Sequence, residues 1–361
     1  MKKYLQYIVL IIFIAIIYSC ADKFDLNNIK VSGNNVNIGG DTVFVQVNPV
    51  WDDGFDFNKP QDIIIGKEPF IYVADTENDR IVMLNLDGDI LGTRTVKKPV
   101  ALAQDYRLNL IICGQFDTLG QSFSAVYKLD LFSVSHQIDI APMKRLLPRL
   151  SDFTQPLRKY TGAAVFYDNR FYISRTGPNN SNLIDPDNSI LIFVQKSQND
   201  GTFKDSLIGR VALLDPTGTG IMSANRISSL TSYNNRNYDL IVTLIGENSF
   251  KVQPLDYIIS QEYTGYQIGI QPNSAQLMLP NNFDQPEGAT IDNANNIYVA
   301  DAGKDSIYKF NSFGQLLIRY GGESGDEFNH PHAVAYFDKT LYVADTDNNR
   351  ILRFILSTDL Q

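Results

Sequence analysis

Cysteine is nearly absent from this chain: two occur in 361 residues, Cys20 and Cys113. After Cys20 a single thiol remains, so the body of the chain cannot be held by a disulfide framework. Cys113 lies in the apolar run Leu110-Ile-Ile-Cys-Gly, which predicts a buried strand position rather than a reactive thiol. Histidine is almost as scarce, with three in the chain. His136 falls in the run Ser135-His-Gln-Ile-Asp-Ile, which reads as an exposed outer strand. A Gly-rich phosphate loop and a Gly-x-Ser-x-Gly elbow are both missing, and no histidine sits in a setting for a general base. Positive charge is short as well: the formal net charge is −9, which excludes the basic footprint of a nucleic-acid binder. Long helical periodicity is absent too. What remains is a series of short apolar runs, rich in Tyr and Phe, broken by Gly, Asn, Asp and Pro. That is a composition for sheets.

The first twenty residues stand apart, reading MKKYLQYIVLIIFIAIIYSC. Lys2 and Lys3 form a positive start, and Ile8 to Tyr18 form an apolar run too short for a membrane span, with no basic stop-transfer flank behind it. This predicts a secretory signal peptide. Its end, Ile17-Tyr18-Ser19-Cys20, resembles a bacterial lipobox, with Tyr18 in place of the usual small or polar residue. The resemblance implies lipidation at Cys20 and membrane attachment through acyl chains, each buried methylene contributing about 0.8 kcal/mol. Ala21 to Gly40 is rich in Asn, Asp, Lys and Gly and reads as a tether. The expected organisation is a signal peptide over 1–19, a lipidated Cys and tether over 20–40, and a folded body over 41–361.

The body repeats itself. Ile71-Tyr-Val-Ala-Asp75, Ile297-Tyr-Val-Ala-Asp301 and Leu341-Tyr-Val-Ala-Asp345 share a longer frame, with Pro60, Pro286 and Pro331 ahead of them. The first and last copies continue as Thr76-Glu-Asn-Asp-Arg80-Ile and Thr346-Asp-Asn-Asn-Arg350-Ile. A motif recurring at a blade-sized period means one structural unit built several times. Three degenerate units follow the same spacing, around Pro99–Asp130, Gly162–Phe193 and Ile227–Val252. Six units over 41–361 average about 53 residues, which fits four-stranded blades. The sixth unit has room for three strands, and Asp41-Thr-Val-Phe-Val-Gln-Val47 belongs to no other unit. It is therefore expected to supply the outer strand of blade six and close the ring.

The clear units resemble the NHL repeat family in their strand-opening Pro, their YVAD strand and the Asn78-Asp-Arg80-Ile and Asn348-Asn-Arg350-Ile starts of the third strand. Ser306 departs from that pattern where the Arg should stand. The resemblance implies an all-β, six-bladed propeller and no single activity. The alternating acids of Asp75-x-Glu77-x-Asp79 and Asp345-x-Asp347-x-Asn349 invite a calcium reading. The adjacent Arg80 and Arg350 argue instead for an Asp–Arg pair locking the second strand to the third.

Around Pro331 the run Asn329-His-Pro-His-Ala-Val resembles the peptidyl-hydroxyglycine amidating lyases, in which Pro-His pairs open three inner strands and hold zinc in the channel. Here the residues after the corresponding prolines are Gln61, Val100, Glu287 and His332, so His332 alone keeps the ligand type and neither metal nor other cofactor is expected. Gln61, Glu287 and His332 are expected to converge on one channel mouth as a ligand-binding set. Two segments read as insertions rimming it: Pro142–Tyr160, with Lys144, Arg145 and Arg149, and Glu262–Asn282, with Tyr263 and Tyr266. The expected function is a lipid-anchored, monomeric propeller of the cell envelope, at the outer membrane, binding a protein, peptide or glycan and no nucleic acid. The alternative is an envelope lyase or hydrolase working in the channel near Glu287 and His332.

Overall fold

The computed structural model describes residues 36–37 and 42–359, apart from 119, 183, 219–220, 234, 248–249, 270–275, 280 and 323–326. Cys20, the signal segment and most of the tether lie outside the described residues. Six antiparallel sheets follow one another along the chain, and their first strands neighbour each other in a closed ring. The protein is an all-β, six-bladed β-propeller.

Blade one runs Pro60–Ile65, Ile71–Asp75, Arg80–Leu84 and Ile90–Thr95, from the axis outward. Blades two to four begin with Lys97–Gln104, Lys159–Val165 and Ile227–Ser232, and blades five and six with Pro286–Ile291 and Pro331–Phe337. The outer strand of blade six is Phe44–Trp51, paired antiparallel to Arg350–Leu356, with Phe44 opposite Leu356 and Val47 opposite Arg353. The first and last strands of the body thus share one sheet. A further short strand, Val36–Asn37, pairs with the outer strand of blade five.

The repeated YVAD strand is explained by what lies on its two sides. Side chains alternate along a strand, and here both faces are buried against neighbouring blades. In blade one, Ile71 and Val73 pack with Ala333, Ala335, Tyr342 and Ala344 of blade six. Tyr72 and Ala74 pack with Leu102, Leu110 and Ile112 of blade two. Blade five repeats the arrangement, with Ile297 and Val299 towards blade four and Tyr298 and Ala300 towards blade six. Each fully buried large side chain contributes about 1.5–3 kcal/mol. Cys113 sits at 0 % exposure between blades two and three, and burial pushes its thiol up, so it is a core residue as its apolar run implies.

The Asp ending each such strand organises the turn behind it. Asp75 accepts the Asn58 N–H at 2.7 Å, the Asn78 amide at 2.9 Å and the Arg80 Nε at 2.6 Å. Asp345 does the same with Asn329 at 2.7 Å, Asn348 at 2.9 Å and Arg350 at 2.7 Å. The Asp–Arg pairing read from the sequence is present in both blades. In blade five, where Ser306 replaces the Arg, Asp301 takes the Asp284 and Gln285 N–H groups instead.

Each turn also reaches the next blade. Thr76 donates to Pro99 O and Thr346 to Pro60 O, both at 2.6 Å. Asp79, Asn349 and Asp305, each left-handed at the end of its turn, accept the backbone N–H of Lys98, Lys59 and His330 at 2.8–2.9 Å.

Removing residues 41–47 takes the outer strand from most of Arg350–Leu356 and exposes Tyr298 and Phe354, which pack on Phe44. The expected outcome is loss of a single cooperative melting transition or aggregation through the open edge. A truncated body that melts like the full chain would show the strand to be dispensable.

Candidate functional site at the channel mouth

Each inner strand begins with a fault in its ladder. The register shifts between Pro60 and Asp62, Lys97 and Ala101, Tyr160 and Gly162, Ile227 and Ser229, Pro286 and Gly288, and Pro331 and Ala333. Such a bulge leaves one extra residue outside the pairing, or three in blade two, Lys98 to Val100, and re-aims the side chain there. The residues set free are Gln61, Val100, Thr161, Ser228, Glu287 and His332, and all six line one cavity of about 780 Å³. Close approach of the blades helps to shape it. A Cβ on Gly288 would lie 2.5 Å from His332 O, so the residue after the bulge in blade five has to be glycine.

The six are not equivalent. Thr161 donates to Ile227 O and Ser228 to Pro286 O, both at 2.6 Å, so these hydroxyls tie blade to blade. Gln61, Glu287 and His332, from three successive blades, make no side-chain hydrogen bond to protein among the described residues. Burial pushes the Glu287 carboxyl up to about 7, with Arg226 opposing the rise and Asp301 adding to it. Burial also holds the His332 imidazole down at about 4, helped by His330 and Lys59 and opposed by Asp347. Near neutral pH the imidazole is therefore uncharged and the carboxyl is divided between its two forms. Among the described residues, no group of three His, Cys, Asp or Glu is placed to hold a metal ion. A second cavity of about 210 Å³ lies among the inner strands, where burial raises Asp62 to about 7 against hydrogen bonds from Leu102 and Ile63.

The structure brings Gln61, Glu287 and His332 together and adds Leu157, Lys159 and Tyr160 from the end of segment 142–160, whereas Lys144, Arg145, Arg149, Tyr263 and Tyr266 lie away from that cavity. Lys144 and Arg145 belong to Met143–Leu147, the outer strand of blade two, and Arg145 covers the Phe116 ring at 3.9 Å. Arg149 lines a separate cavity with Asp152 and Arg175. Within the basic run Arg158 is neutralised, pairing with Asp187 at 2.6 Å, Asp185 at 2.7 Å and Asp152 at 3.1 Å. Tyr266 is a strand residue of Thr264–Ile268, 5 % exposed, with its hydroxyl on Tyr238 O, and Tyr263 caps that hairpin by donating to Tyr266 O. Both line a peripheral pocket beside Leu213 and Ile221. The reason is one of frame: the segments read as connections contain the outer strands of blades two and four. His136 likewise lies in a turn, its Nε2 3.2 Å from Glu68, rather than in an outer strand.

Of the cationic lining, Lys159 belongs to the basic segment expected at the rim, whereas Lys98 and Arg226 stand outside both expected segments. Lys98, Lys159 and Arg226 stand on the cavity wall, each two residues before the residue freed by its bulge. The signal was present in the sequence, but it becomes visible only once Tyr160 and Ile227 are aligned with the strand-opening prolines.

These features define a six-bladed propeller with a polar site at one mouth of its channel. Within it, residues 328–354 of blade six match the NHL repeat family, so the chain carries an NHL repeat there. No curated protein matches the chain by sequence. Among solved structures, a gluconolactonase from Xanthomonas campestris superposes with a TM-score of 0.51 at 13% identity, covering 90% of this chain and 100% of that one. The PQQ-bound aldose sugar dehydrogenase of Streptomyces coelicolor gives 0.52 at 10% identity, covering 88% and 98%. Regucalcin from Agrobacterium tumefaciens, a calcium-binding protein, gives 0.51 at 9% identity, covering 85% and 92%. At these identities the likeness is one of fold.

The raised Glu287 carboxyl carries a stability signature. Below the unfolded value of 4.5 both states hold the proton and Glu287 contributes nothing. Between 4.5 and about 7 the unfolded chain ionises first, so stability falls with rising pH, and above about 7 the full cost is present. Glu287→Gln should therefore match the parent in melting temperature at pH 4 and exceed it by a few degrees at pH 8. Equal melting temperatures at both pH values would show that the carboxyl is not held in its neutral form.

Proposed function

We propose that this chain is a binding propeller of the cell envelope, capturing a small polar ligand, or the polar end of a peptide or glycan, at the channel mouth. One observation carries the reading. Gln61, Glu287 and His332 face a single cavity while holding no structural bond, and polar groups that do no structural work are available for a ligand. The expected outcome for Glu287→Ala and His332→Ala at pH 6 is an unlowered melting temperature with at least about ten-fold weaker ligand capture, the loss of one charge-assisted or two neutral hydrogen bonds. Thermal shift of parent and variants against a panel of sugars, organic acids and short peptides measures it. A panel hit that both variants retain at full strength would overturn the assignment to this mouth.

A second reading has its own observation. A carboxyl pushed up to about 7 beside Arg226, in a cavity, is suited to general acid–base work. Gluconolactonase and aldose sugar dehydrogenase place chemistry on the same fold, which keeps a hydrolase or lyase in view. Turnover of a bound lactone or glycan, lost in Glu287→Gln with binding retained, separates catalysis from capture.

Anchorage rests on the sequence of residues 1–20. The reading is a mature N-terminus at Cys20 carrying lipid, with the propeller held off an outer membrane by the tether. Cys20→Ser should release the protein or stall its processing. Mature Cys20→Ser protein that stays wholly membrane-bound would remove the lipid anchor from this account.

A further inference from the structure

The residues two positions before those freed by the bulges are Lys59, Lys98, Lys159, Arg226, Gln285 and His330. Five of the six are basic residue types, in a chain whose formal net charge is −9. Three of the five are answered locally. Lys59 and His330 both lie against Asp347, at 3.3 and 3.5 Å, and Lys98 holds Glu77 at 2.7 Å. Lys159 and Arg226 have no ion pair among the described residues, and both line the mouth cavity from adjacent blades.

The mouth is thus two-sided. Blades two, three and four contribute Lys98, Lys159 and Arg226, and blades five, six and one contribute Glu287, His332 and Gln61. We propose that this mouth is selective for an oxyanion, a carboxylate or phosphate group on a small ligand, gripped by Arg226 and Lys159 from one side and hydrogen-bonded by Glu287, His332 and Gln61 from the other. The inference rests on the binding reading given above and names the ligand class for that same site.

Two physical points support it. An Arg guanidinium presents a planar fork of donors that matches a carboxylate or phosphate, and Lys adds a point charge. On the opposite wall the imidazole is neutral, the Glu287 carboxyl keeps its proton below about 7, and Glu77, which also lines the cavity, is answered by Lys98 at 2.7 Å. A protonated carboxyl, an imidazole N–H and a Gln amide are all donors. Arg226 itself holds a left-handed backbone, φ 55°, where glycine would be unstrained, and its carbonyl accepts the Ile245 N–H at 3.0 Å. Lys59, Lys98 and His330 share that conformation at the equivalent positions, so it belongs to the blade junction.

The same φ supplies a clean variant. Arg226→Gly removes the guanidinium while relaxing the backbone, so it should fold at least as well as the parent. Calorimetric titration of the full mature chain at pH 6 uses galacturonate against galactose, which differ by one carboxylate, and inorganic phosphate. The expected result is galacturonate or phosphate binding at least about ten-fold tighter than galactose, and about ten-fold weakening in Arg226→Gly combined with Lys159→Gln. Lys144→Ala combined with Arg145→Ala, on the outer strand of blade two, should bind like the parent. Equal loss in that control would make the effect one of net charge and overturn the proposal. Galactose binding as tightly as galacturonate, with both weakened by His332→Ala, would refute the anion selectivity and leave the mouth as a binding site. Probe binding indifferent to every mouth variant would refute both.

Discussion

A carboxylate buried at the end of a strand must find donors or cost several kcal/mol, and in this propeller that demand sets the geometry of the turns. Asp75 and Asp345 are each fully buried, and each gathers a backbone N–H, an Asn amide and an Arg Nε. The turn so fixed ends in a left-handed residue whose side chain takes the backbone N–H of the next blade, while its threonine reaches the following proline carbonyl. The lock within a blade is therefore also the lock between blades. Blade six joins blade one through Asn349 and Thr346 just as blade one joins blade two through Asp79 and Thr76. The pattern of alternating acids that invites a calcium reading is occupied by the protein's own donors.

The same contacts create the mouth. With its backbone held by the preceding turn, the chain enters each inner strand at a fixed point, and the bulge there turns one side chain out of the ladder into the cavity. Ring symmetry then does the rest: equivalent positions near the axis converge, whereas outer-strand positions diverge. Two blades use the freed residue for further blade-to-blade bonds, Thr161 and Ser228, and three leave it unbonded. The asymmetry between structural and unbonded positions is what turns a repetitive scaffold into a candidate site. Burial then tunes it, raising Glu287 to about 7 and lowering His332 to about 4, so that between these values both groups are mainly uncharged.

The sequence by itself determined the architecture, because the cause of the architecture is local and repeated. A strand buried on both faces has to read as an unbroken apolar run, and alternating large and small residues suit two different neighbours. Ile71-Tyr-Val-Ala-Asp75 says this at Ile297 and Leu341 as well. The convergence of Gln61, Glu287 and His332 was legible for the same reason, since each follows a strand-opening proline. Only the tertiary structure decided which polar residues are spent and which are left over. Arg158 was indistinguishable in sequence from its basic neighbours, yet it is consumed by Asp152, Asp185 and Asp187, residues that the fold brings from two different segments. Tyr266 resembled an exposed rim residue until strand pairing placed it inward, opposite Tyr257. Lys159 and Arg226 gained their meaning only when Tyr160 and Ile227 took the place that proline holds in other blades. Ion pairing, side-chain direction and the proton affinity of Glu287 depend on atoms distant in sequence and close in space, and only the closed ring brings those atoms together.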